Sequence, residues 1–192
     1  MKSPPSGEKP PPVNRGVVMG RFQVVHNDHV KILRAARPLC HHLIVAVRDP
    51  DPILGRGSTT TPDEDFHAKN PLTFFERSRV LRAVLAELDF EPAGYSIIPF
   101  PWERPELHTY YVPRDAVFFV PVNDERDEEI LASLKAFGFE ARQLWKRALT
   151  KRGPGSAEIL RRMVASEPWE HLVPRATLSV FRKTGLLERM KT

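Results

Sequence analysis

The chain has 192 residues, of which 41% are hydrophobic and 28% charged, and this composition suits one globular domain with a sizeable core. Its formal net charge of +5 suits an anionic ligand, but basic and acidic residues are interspersed, so we expect no nucleic acid as partner. No apolar run approaches the about 18 residues of a membrane-spanning helix, and no signal-peptide core opens the chain, so we expect no membrane partner. The lone cysteine, Cys40, cannot form an internal disulfide and favours a cytoplasmic protein in which this side chain is buried.

The distribution of proline and of apolar residues divides the chain into three parts. Residues 1–14 contain five prolines, which favour extended conformations without a core, so we predict a disordered N-terminus there. Residues 15–167 alternate strand and helix patterns and are predicted to form one α/β domain. Residues 168–192 are predicted to form a helical tail packed on the same domain.

The first strand is predicted over residues 16–20 and leads into a polar joint that ends at a helix-like run over residues 30–39. The joint contains Arg21, His26 and His29. In an open α/β sheet, ligands bind at the carboxyl ends of the strands, where this joint lies. Two imidazoles three residues apart share a helix face, and each can donate a hydrogen bond to a phosphoryl oxygen that gains charge. The alternative interpretation is an exposed helix cap and a histidine packed in the core.

The chain then alternates between further strand and helix patterns. Strands are predicted at residues 43–47, 95–99, 115–120 and 139–145, and helices at residues 70–88 and 125–137. His41 and His42 are interpreted as loop residues, since no cysteine or acidic cluster beside them indicates a metal site. Residues 49–68 form a long polar stretch, which predicts either a functional flap or a disordered segment.

The run Gly-Arg-Phe-Gln-x-x-His-x-x-His at residues 20–29 resembles the first motif of the nucleotidylyltransferases with a (His/Thr)-x-Gly-His signature. The similarity is greatest to the archaeal-type nicotinamide-nucleotide adenylyltransferases, which join ATP and nicotinamide mononucleotide (NMN) to make NAD and pyrophosphate. The resemblance implies a Rossmann-like, doubly wound parallel sheet of five strands with a short C-terminal helical tail. It also implies Mg²⁺ as cofactor, nucleotides such as NMN, ATP or NAD as small-molecule partners, and a homo-oligomer. The catalytic residues that it implies are His26, His29 and Arg21, and the adjacent nucleotide-binding residues are Gly20, Phe22, Gln23 and Asp28.

Two other stretches carry the resemblance further along the chain. The run Lys-Asn-Pro-Leu-Thr-x-x-Glu-Arg at residues 69–77 resembles a family segment that opens the second helix, with Asn70 as cap and Pro71 at the first helical position. By resemblance, Lys69 and Asn70 approach the mononucleotide substrate. The family also has an aromatic residue that stacks on the nicotinamide ring, for which Trp102, Tyr110 and Tyr111 are the candidates.

The chain departs from the family pattern where the nucleotide would bind. Asp28 replaces the family's glycine, and a carboxylate close to a phosphate costs about 4 kcal/mol at an effective dielectric near 20 unless a cation intervenes. A Trp-x-x-Leu-Val-Pro run at residues 169–174 resembles the family's C-terminal tail and sets the alignment of the motif before it. In this alignment, Ala157 and Leu160 replace a threonine and an arginine that in the family hold the β- and γ-phosphates. Each such charge-assisted contact is worth about 1.5–3 kcal/mol. The remaining candidates for nucleotide binding are Asn123, Ser156 and Arg161.

Three functions follow from these observations. The first is adenylyl transfer from ATP to NMN, giving NAD and pyrophosphate, with positioning and electrostatic stabilisation as the means of catalysis. The second is a diverged member that hydrolyses or transfers a different nucleotide, with Asp28 orienting water or a metal ion. The third is a nucleotide-binding protein without catalytic activity.

Overall fold

A parallel sheet of five strands forms the centre of the computed structural model, which describes residues 11–49, 70–148 and 153–190. The strands are β1 (Val13–Gly20), β2 (Cys40–Arg48), β3 (Tyr95–Phe100), β4 (Val117–Val122) and β5 (Glu140–Lys146). Their order is β3-β2-β1-β4-β5, and every neighbouring pair is parallel. The winding reverses between β1 and β4, and ligands of such sheets bind outside the carboxyl ends of the strands at this point.

Helices cover both faces of the sheet. They are α1 (Asn27–Ala36), α2 (Phe74–Glu87), α3 (His108–Tyr111), α4 (Glu125–Ala136), α5 (Ser156–Val164), α6 (Arg175–Thr184) and α7 (Leu186–Arg189). One buried cluster joins α1, α2, α5 and α6 to the sheet, and it includes Leu33, Leu81, Ile159 and Phe181. The opposite cluster includes Leu134 of α4 and strand residues such as Ile44 and Phe118. This arrangement confirms the predicted α/β, Rossmann-like, doubly wound parallel sheet.

Two predictions about the first strands are wrong. Strand β1 begins at Val13, so Val13 and Asn14 belong to the sheet and not to a disordered N-terminus. His41 and His42 lie within β2 and not in a loop, because β1 offers pairing partners back to Val13 and so extends β2 to Cys40. Cys40 is buried as expected, and burial raises the pKa of its thiol.

The starts of two helices also differ from the prediction. Helix α1 begins at Asn27, so its first turn includes His29. Helix α2 is capped by Thr73, whose hydroxyl accepts from the Glu76 backbone N–H while the Glu76 carboxylate accepts from the Thr73 N–H. This reciprocal capping box satisfies two backbone donors, so it defines the helix start more strongly than Asn70 and Pro71, which precede the helix.

Other predictions fall on parts of the chain outside the described residues. These are the disorder of residues 1–10, the flap or disorder predicted for residues 49–68, of which residues 50–68 are not described, and the role of Lys69. Within the described ranges, no helix combines the length and the apolar composition needed to cross a membrane.

The C-terminal helices pack on the same side of the sheet as α1 and α2. Trp169 and Phe181 belong to the buried cluster on that face, and Phe181 has no exposed surface. The backbone N–H of Ala176 donates to the Glu87 carboxylate at the end of α2, and Arg189 pairs with Glu76 at its start. The tail therefore contributes core packing as well as polar contacts.

We predict that Phe181→Ala lowers the free energy of unfolding by about 3–5 kcal/mol, because it leaves a cavity in a fully buried position. Lys183→Ala, on the exposed side of the same helix, should change it by less than about 0.5 kcal/mol. Urea denaturation monitored by circular dichroism measures both values. Equal effects of the two substitutions would show that the tail does not pack as described.

Candidate functional site

The two histidines of the joint lie against each other at the start of α1. Their ring centroids are 3.8 Å apart, and the ring of Phe22 lies 4.7 Å from that of His29. His26 is buried and caps the helix, and its backbone N–H donates to Nδ1 of His29 at 3.3 Å. Because Nδ1 accepts this bond, neutral His29 carries its proton on Nε2, which makes that nitrogen a donor. The expectation that the two imidazoles share one helix face is confirmed.

A close approach of side chain to backbone shapes the loop between β1 and α1. Phe22 has φ of +50°, and its ring lies so close to Gly20 that a Cβ there would come within 3.1 Å of it. A side chain at position 20 would therefore have to displace the Phe22 ring by a few tenths of an ångström. Phe22 and Gln23 are buried, and the Gln23 side-chain oxygen accepts from the Leu72 backbone N–H at 2.9 Å. The structure places both predicted nucleotide-binding side chains beneath the loop, where they support it.

The buried guanidinium of Arg77 in α2 connects the carboxyl ends of β1 and β2. It donates to the backbone carbonyl of Arg21 at 2.9 Å, to that of Arg48 at 2.7 Å, and to that of Asp49 at 2.7 Å. Burial lowers the pKa of Arg77 to about 10, so this side chain stays charged at neutral pH. The sequence motif contained Arg77, but no role was predicted for it.

Two hydroxyl groups from the C-terminal part of the chain hold the next carbonyls of the same loop. Ser156, the first residue of α5, donates its hydroxyl to the Val24 carbonyl at 3.1 Å. Thr177 of α6 donates to the Val25 carbonyl at 3.0 Å and is fully buried. Ser156 was predicted to contact phosphate, whereas its hydroxyl here donates to the loop between β1 and α1, residues 21–26, which we call the histidine loop. No local sequence pattern identifies Thr177, because its partner lies 152 residues away.

Asp28 faces α5 and the end of β5 and is nearly buried. Its carboxylate accepts from Lys31 Nζ at 2.7 Å, from the Gly153 backbone N–H at 2.8 Å and from Arg147 Nη2 at 3.3 Å. Burial raises the pKa of Asp28, but the hydrogen bonds from Lys31 and Gly153 and the charges of Lys31 and Arg147 together bring it below its usual value. The carboxylate is therefore ionised, and Lys31 and Arg147 supply positive charges that balance it.

Arg147 is held from three directions just after β5. Its Nε donates to the Asn123 side-chain oxygen at 2.8 Å, its backbone N–H donates to the Val122 carbonyl, and its guanidinium lies 5.3 Å from the Trp145 ring. Asn123 is itself fixed by Asp127, whose carboxylate accepts from its backbone N–H and its side-chain amide. Asn123, a predicted nucleotide contact, thus orients Arg147, which the sequence analysis did not identify.

At the end of β2, the guanidinium of Arg48 covers the ring of Trp102 at 4.7 Å from its centroid. The Nε of Arg48 is buried and finds no hydrogen-bond partner among the described residues, and an Nη lies 4.0 Å from the Glu103 carboxylate. Of the other two aromatic candidates, Tyr110 is 82% exposed and Tyr111 39% exposed. Trp102 is therefore the candidate that lies beside the carboxyl end of β2, and one face of its ring already contacts a cation.

The structure does not bring Arg161 to the histidine loop. Its guanidinium binds the carboxylates of Glu158 and Glu167, at distances of 2.7–3.0 Å. The hydrogen bonds from Arg161 and Arg162 lower the pKa of Glu158 to about 2. Leu160 packs in the core, and Asn70 lies just before Leu72, whose N–H binds Gln23. Helix geometry explains the position of Arg161, because one residue turns a side chain by about 100°.

We predict that Thr177→Val, which keeps the shape but removes the hydroxyl, lowers the free energy of unfolding by about 1–3 kcal/mol, because it leaves the Val25 carbonyl buried without a donor. Thr177→Ser keeps the donor and should lose less. Hydrogen exchange of the amides at residues 21–27 should accelerate in the valine variant relative to the serine variant. Equal exchange in the two variants would contradict a role of this hydroxyl in holding the loop.

Comparison with known proteins identifies relatives that extend over nearly the whole chain. No protein-family model matches the chain. It is 34% identical over 176 residues to phosphonoformate cytidylyltransferase of Streptomyces viridochromogenes, and the aligned region covers 92% of this chain and 95% of that protein. It is 31% identical over 192 residues to nicotinamide-nucleotide adenylyltransferase of Thermococcus kodakarensis, and the aligned region covers 93% of this chain and 88% of that protein.

Among solved structures, the chain is similar to a bifunctional NMN adenylyltransferase/ADP ribose pyrophosphatase from Francisella tularensis, with a TM-score of 0.65. The sequence identity is 12%, and the match covers 93% of this chain and 52% of the other, so this likeness supports the fold. The two sequence relatives extend over nearly the whole chain and share one reaction type, the transfer of a nucleotidyl group. The chain therefore belongs to the nucleotidylyltransferases, and it resembles both archaeal nicotinamide-nucleotide adenylyltransferases and a cytidylyltransferase.

Proposed function

We propose that this protein transfers a nucleoside monophosphate from a nucleoside triphosphate to a small anionic acceptor and releases pyrophosphate. The observation that carries the proposal is the close pair of His26 and His29 rings after the carboxyl end of β1. The loop that presents them is fixed by contacts from three distant helices, which gives the preorganised geometry that charge stabilisation requires.

In the proposed reaction, an oxyanion of the acceptor attacks the α-phosphorus. A new P–O bond forms to the acceptor, the bond from the α-phosphorus to the bridging oxygen breaks, and pyrophosphate leaves with that electron pair. N–H groups of His26 and His29 donate to the phosphoryl oxygens as their charge increases, and Arg21 adds a positive charge. The acceptor and the leaving group are both anions, so no side chain has to move a proton.

Mg²⁺ is part of the proposal as a companion of the triphosphate. Within the described ranges, no group of three or more His, Cys, Asp or Glu side chains is placed to hold a metal ion. Mg²⁺ is usually held by substrate phosphates and water with one or two carboxylates, so the ion would bind here together with the triphosphate. When bound, the ion would neutralise charge on the leaving pyrophosphate.

The first candidate pair of substrates is CTP and a phosphonate that also carries a carboxylate. It is supported by the Streptomyces relative, whose name gives it phosphonoformate as acceptor. Arg48 supports it as well, because a guanidinium whose buried Nε has no partner in the described part of the chain suits a small oxyanion. The same guanidinium covers Trp102, so a nicotinamide ring would have to displace it before stacking there.

The second candidate pair is ATP and NMN, giving NAD and pyrophosphate. It is supported by the relatives from Thermococcus kodakarensis and Pyrococcus horikoshii, both named nicotinamide-nucleotide adenylyltransferases, at 31% and 30% identity. Arg21, His26, His29 and Asn123 match the motifs of that family. Hydrolysis of a single nucleotide, and binding without catalysis, are further outcomes that the same assay distinguishes.

The deciding experiment combines ATP or CTP with NMN or phosphonoformate, with Mg²⁺, and identifies the products by chromatography and mass spectrometry. We predict one nucleotidylated acceptor together with pyrophosphate. His26→Ala should lower kcat by about 10²–10³-fold, since it removes a donor to the transition state. His41→Ala is the matched control, because this exposed histidine lies at the opposite end of β2. Breakdown of a nucleotide without acceptor would indicate hydrolysis, and the absence of any product would contradict the proposal.

The role of Arg48 is tested separately. We predict that Arg48→Ala raises the KM of phosphonoformate by about tenfold or more, because a charge-assisted contact is lost, and leaves the KM of the triphosphate nearly unchanged. Arg34→Ala, an exposed arginine on α1, is the control. A rise in the KM of the triphosphate instead would place Arg48 on the nucleotide side of the site.

A further inference from the structure

Three hydrogen-bond donors from three parts of the chain converge beside the histidine loop. They are Lys31 Nζ in α1, Arg147 Nη2 after β5, and the Gly153 backbone N–H before α5. Two cations and a backbone amide aimed at one point form a set of donors that suits a phosphate group. In the structure, the Asp28 carboxylate accepts from all three, so a side chain of the protein takes the position of the anion.

We propose that these three donors bind the terminal phosphates of the nucleoside triphosphate, and that Asp28 occupies their site when no nucleotide is bound. The proposal rests on the proposed function, because it assigns the part of the site that would hold the leaving pyrophosphate. It gives Lys31 and Arg147 the role of phosphate ligands and Asp28 the role of an internal competitor.

The side chains of α5 explain why such a site is needed. Ala157 has no polar group, Leu160 packs in the core, and Arg161 is bound to Glu158 and Glu167. The first turn of this helix therefore supplies no cationic side chain for a triphosphate. Arg147 and Lys31 provide two positive charges that both contact Asp28, which precedes His29 in the chain.

The geometry indicates which partner would move. Arg147 is fixed by Asn123, by the Val122 carbonyl and by the Trp145 ring, so its guanidinium stays in place. Its contact with Asp28 is the longest of the three, at 3.3 Å, whereas a charge-assisted N–H···O bond is usually about 2.7–2.9 Å. Exchange of the Asp28 carboxylate for phosphate oxygens would replace the short contacts of Lys31 and the Gly153 N–H with similar ones, and would allow the contact of Arg147 to shorten.

The start of α5 is not closed by the described side chains. In the part of the chain that the structure describes, a Cβ added to Gly155, the capping residue of this helix, would meet no heavy atom within 4 Å. One added to Gly153 would come no closer than 3.4 Å to the Asp28 carboxylate, which is ordinary contact.

The proposal makes an unusual prediction about affinity, because loss of a buried charge should improve binding. Inorganic pyrophosphate is the probe, titrated by calorimetry into the full-length protein without Mg²⁺ at fixed ionic strength. Asp28→Asn keeps the shape and should tighten pyrophosphate binding by about tenfold or more, since the competing charge is gone. Arg147→Gln should weaken it by about tenfold, and so should Lys31→Ala to a smaller extent, because this lysine is more exposed.

A double variant and a control make the test specific. The double variant Asp28→Asn/Arg147→Gln should not bind pyrophosphate as tightly as Asp28→Asn alone. The asparagine removes the competing charge, but the arginine that would bind the phosphate is also absent. Arg142→Gln is the matched control, since this arginine lies in β5 and pairs with Glu140 at the surface. Thermal unfolding of each variant shows whether it is folded at the temperature of titration.

Equal or weaker pyrophosphate binding by folded Asp28→Asn would overturn the proposal, and so would unchanged binding by Arg147→Gln. The test needs neither an acceptor nor turnover, so its outcome is separate from that of the product assay. If nucleotidyl transfer is found and Asp28→Asn binds no more tightly, this inference alone is wrong. If no transfer is found but the variants bind pyrophosphate in the predicted order of affinity, the anion site is supported and the proposed reaction is contradicted.

Discussion

The structure depends on the hydrogen bonds that hold the carbonyls of the loop between β1 and α1. Backbone polar groups that are buried need partners, and this loop finds few within itself. Arg77, Ser156 and Thr177 provide donors to the carbonyls of Arg21, Val24 and Val25, over sequence separations of 56, 132 and 152 residues. The histidine pair is therefore positioned by the whole domain and its C-terminal helices, and a local motif alone would not hold it.

The same constraint gives the C-terminal helices a function beyond stability. Thr177 reaches the loop because the apolar face of α6 is buried against the domain through residues such as Phe181. Loss of that packing would remove the donor to Val25 and loosen the backbone beside His26. Core packing and the geometry of the site are thus coupled through one buried hydroxyl.

The second constraint is electrostatic, because the charge of Asp28 has to be balanced by its neighbours. A nearly buried carboxylate is unfavourable in isolation. Here Lys31, Arg147 and the Gly153 N–H surround it, and they keep it ionised although it is nearly buried. The ends of β2 and β5 each carry an arginine over an aromatic ring, at Arg48 and Arg147, so the crevice is lined with cations on both sides of the histidines. This pattern favours substrates with several negative charges.

The sequence by itself determined the alternation of strands and helices, the parallel sheet, the pairing of His26 with His29 and the membership of the family, because these follow from local periodicity and from a motif within ten residues. It misplaced the start of α2, where the capping box of Thr73 and Glu76 prevails over Asn70. Only the tertiary structure decided that Ser156 supports the loop, that Arg161 faces Glu158 and Glu167, and that Arg147 meets Asp28. The physical reason is that each of these contacts depends on the direction of a side chain or on a partner far along the chain, and periodicity carries no information about either.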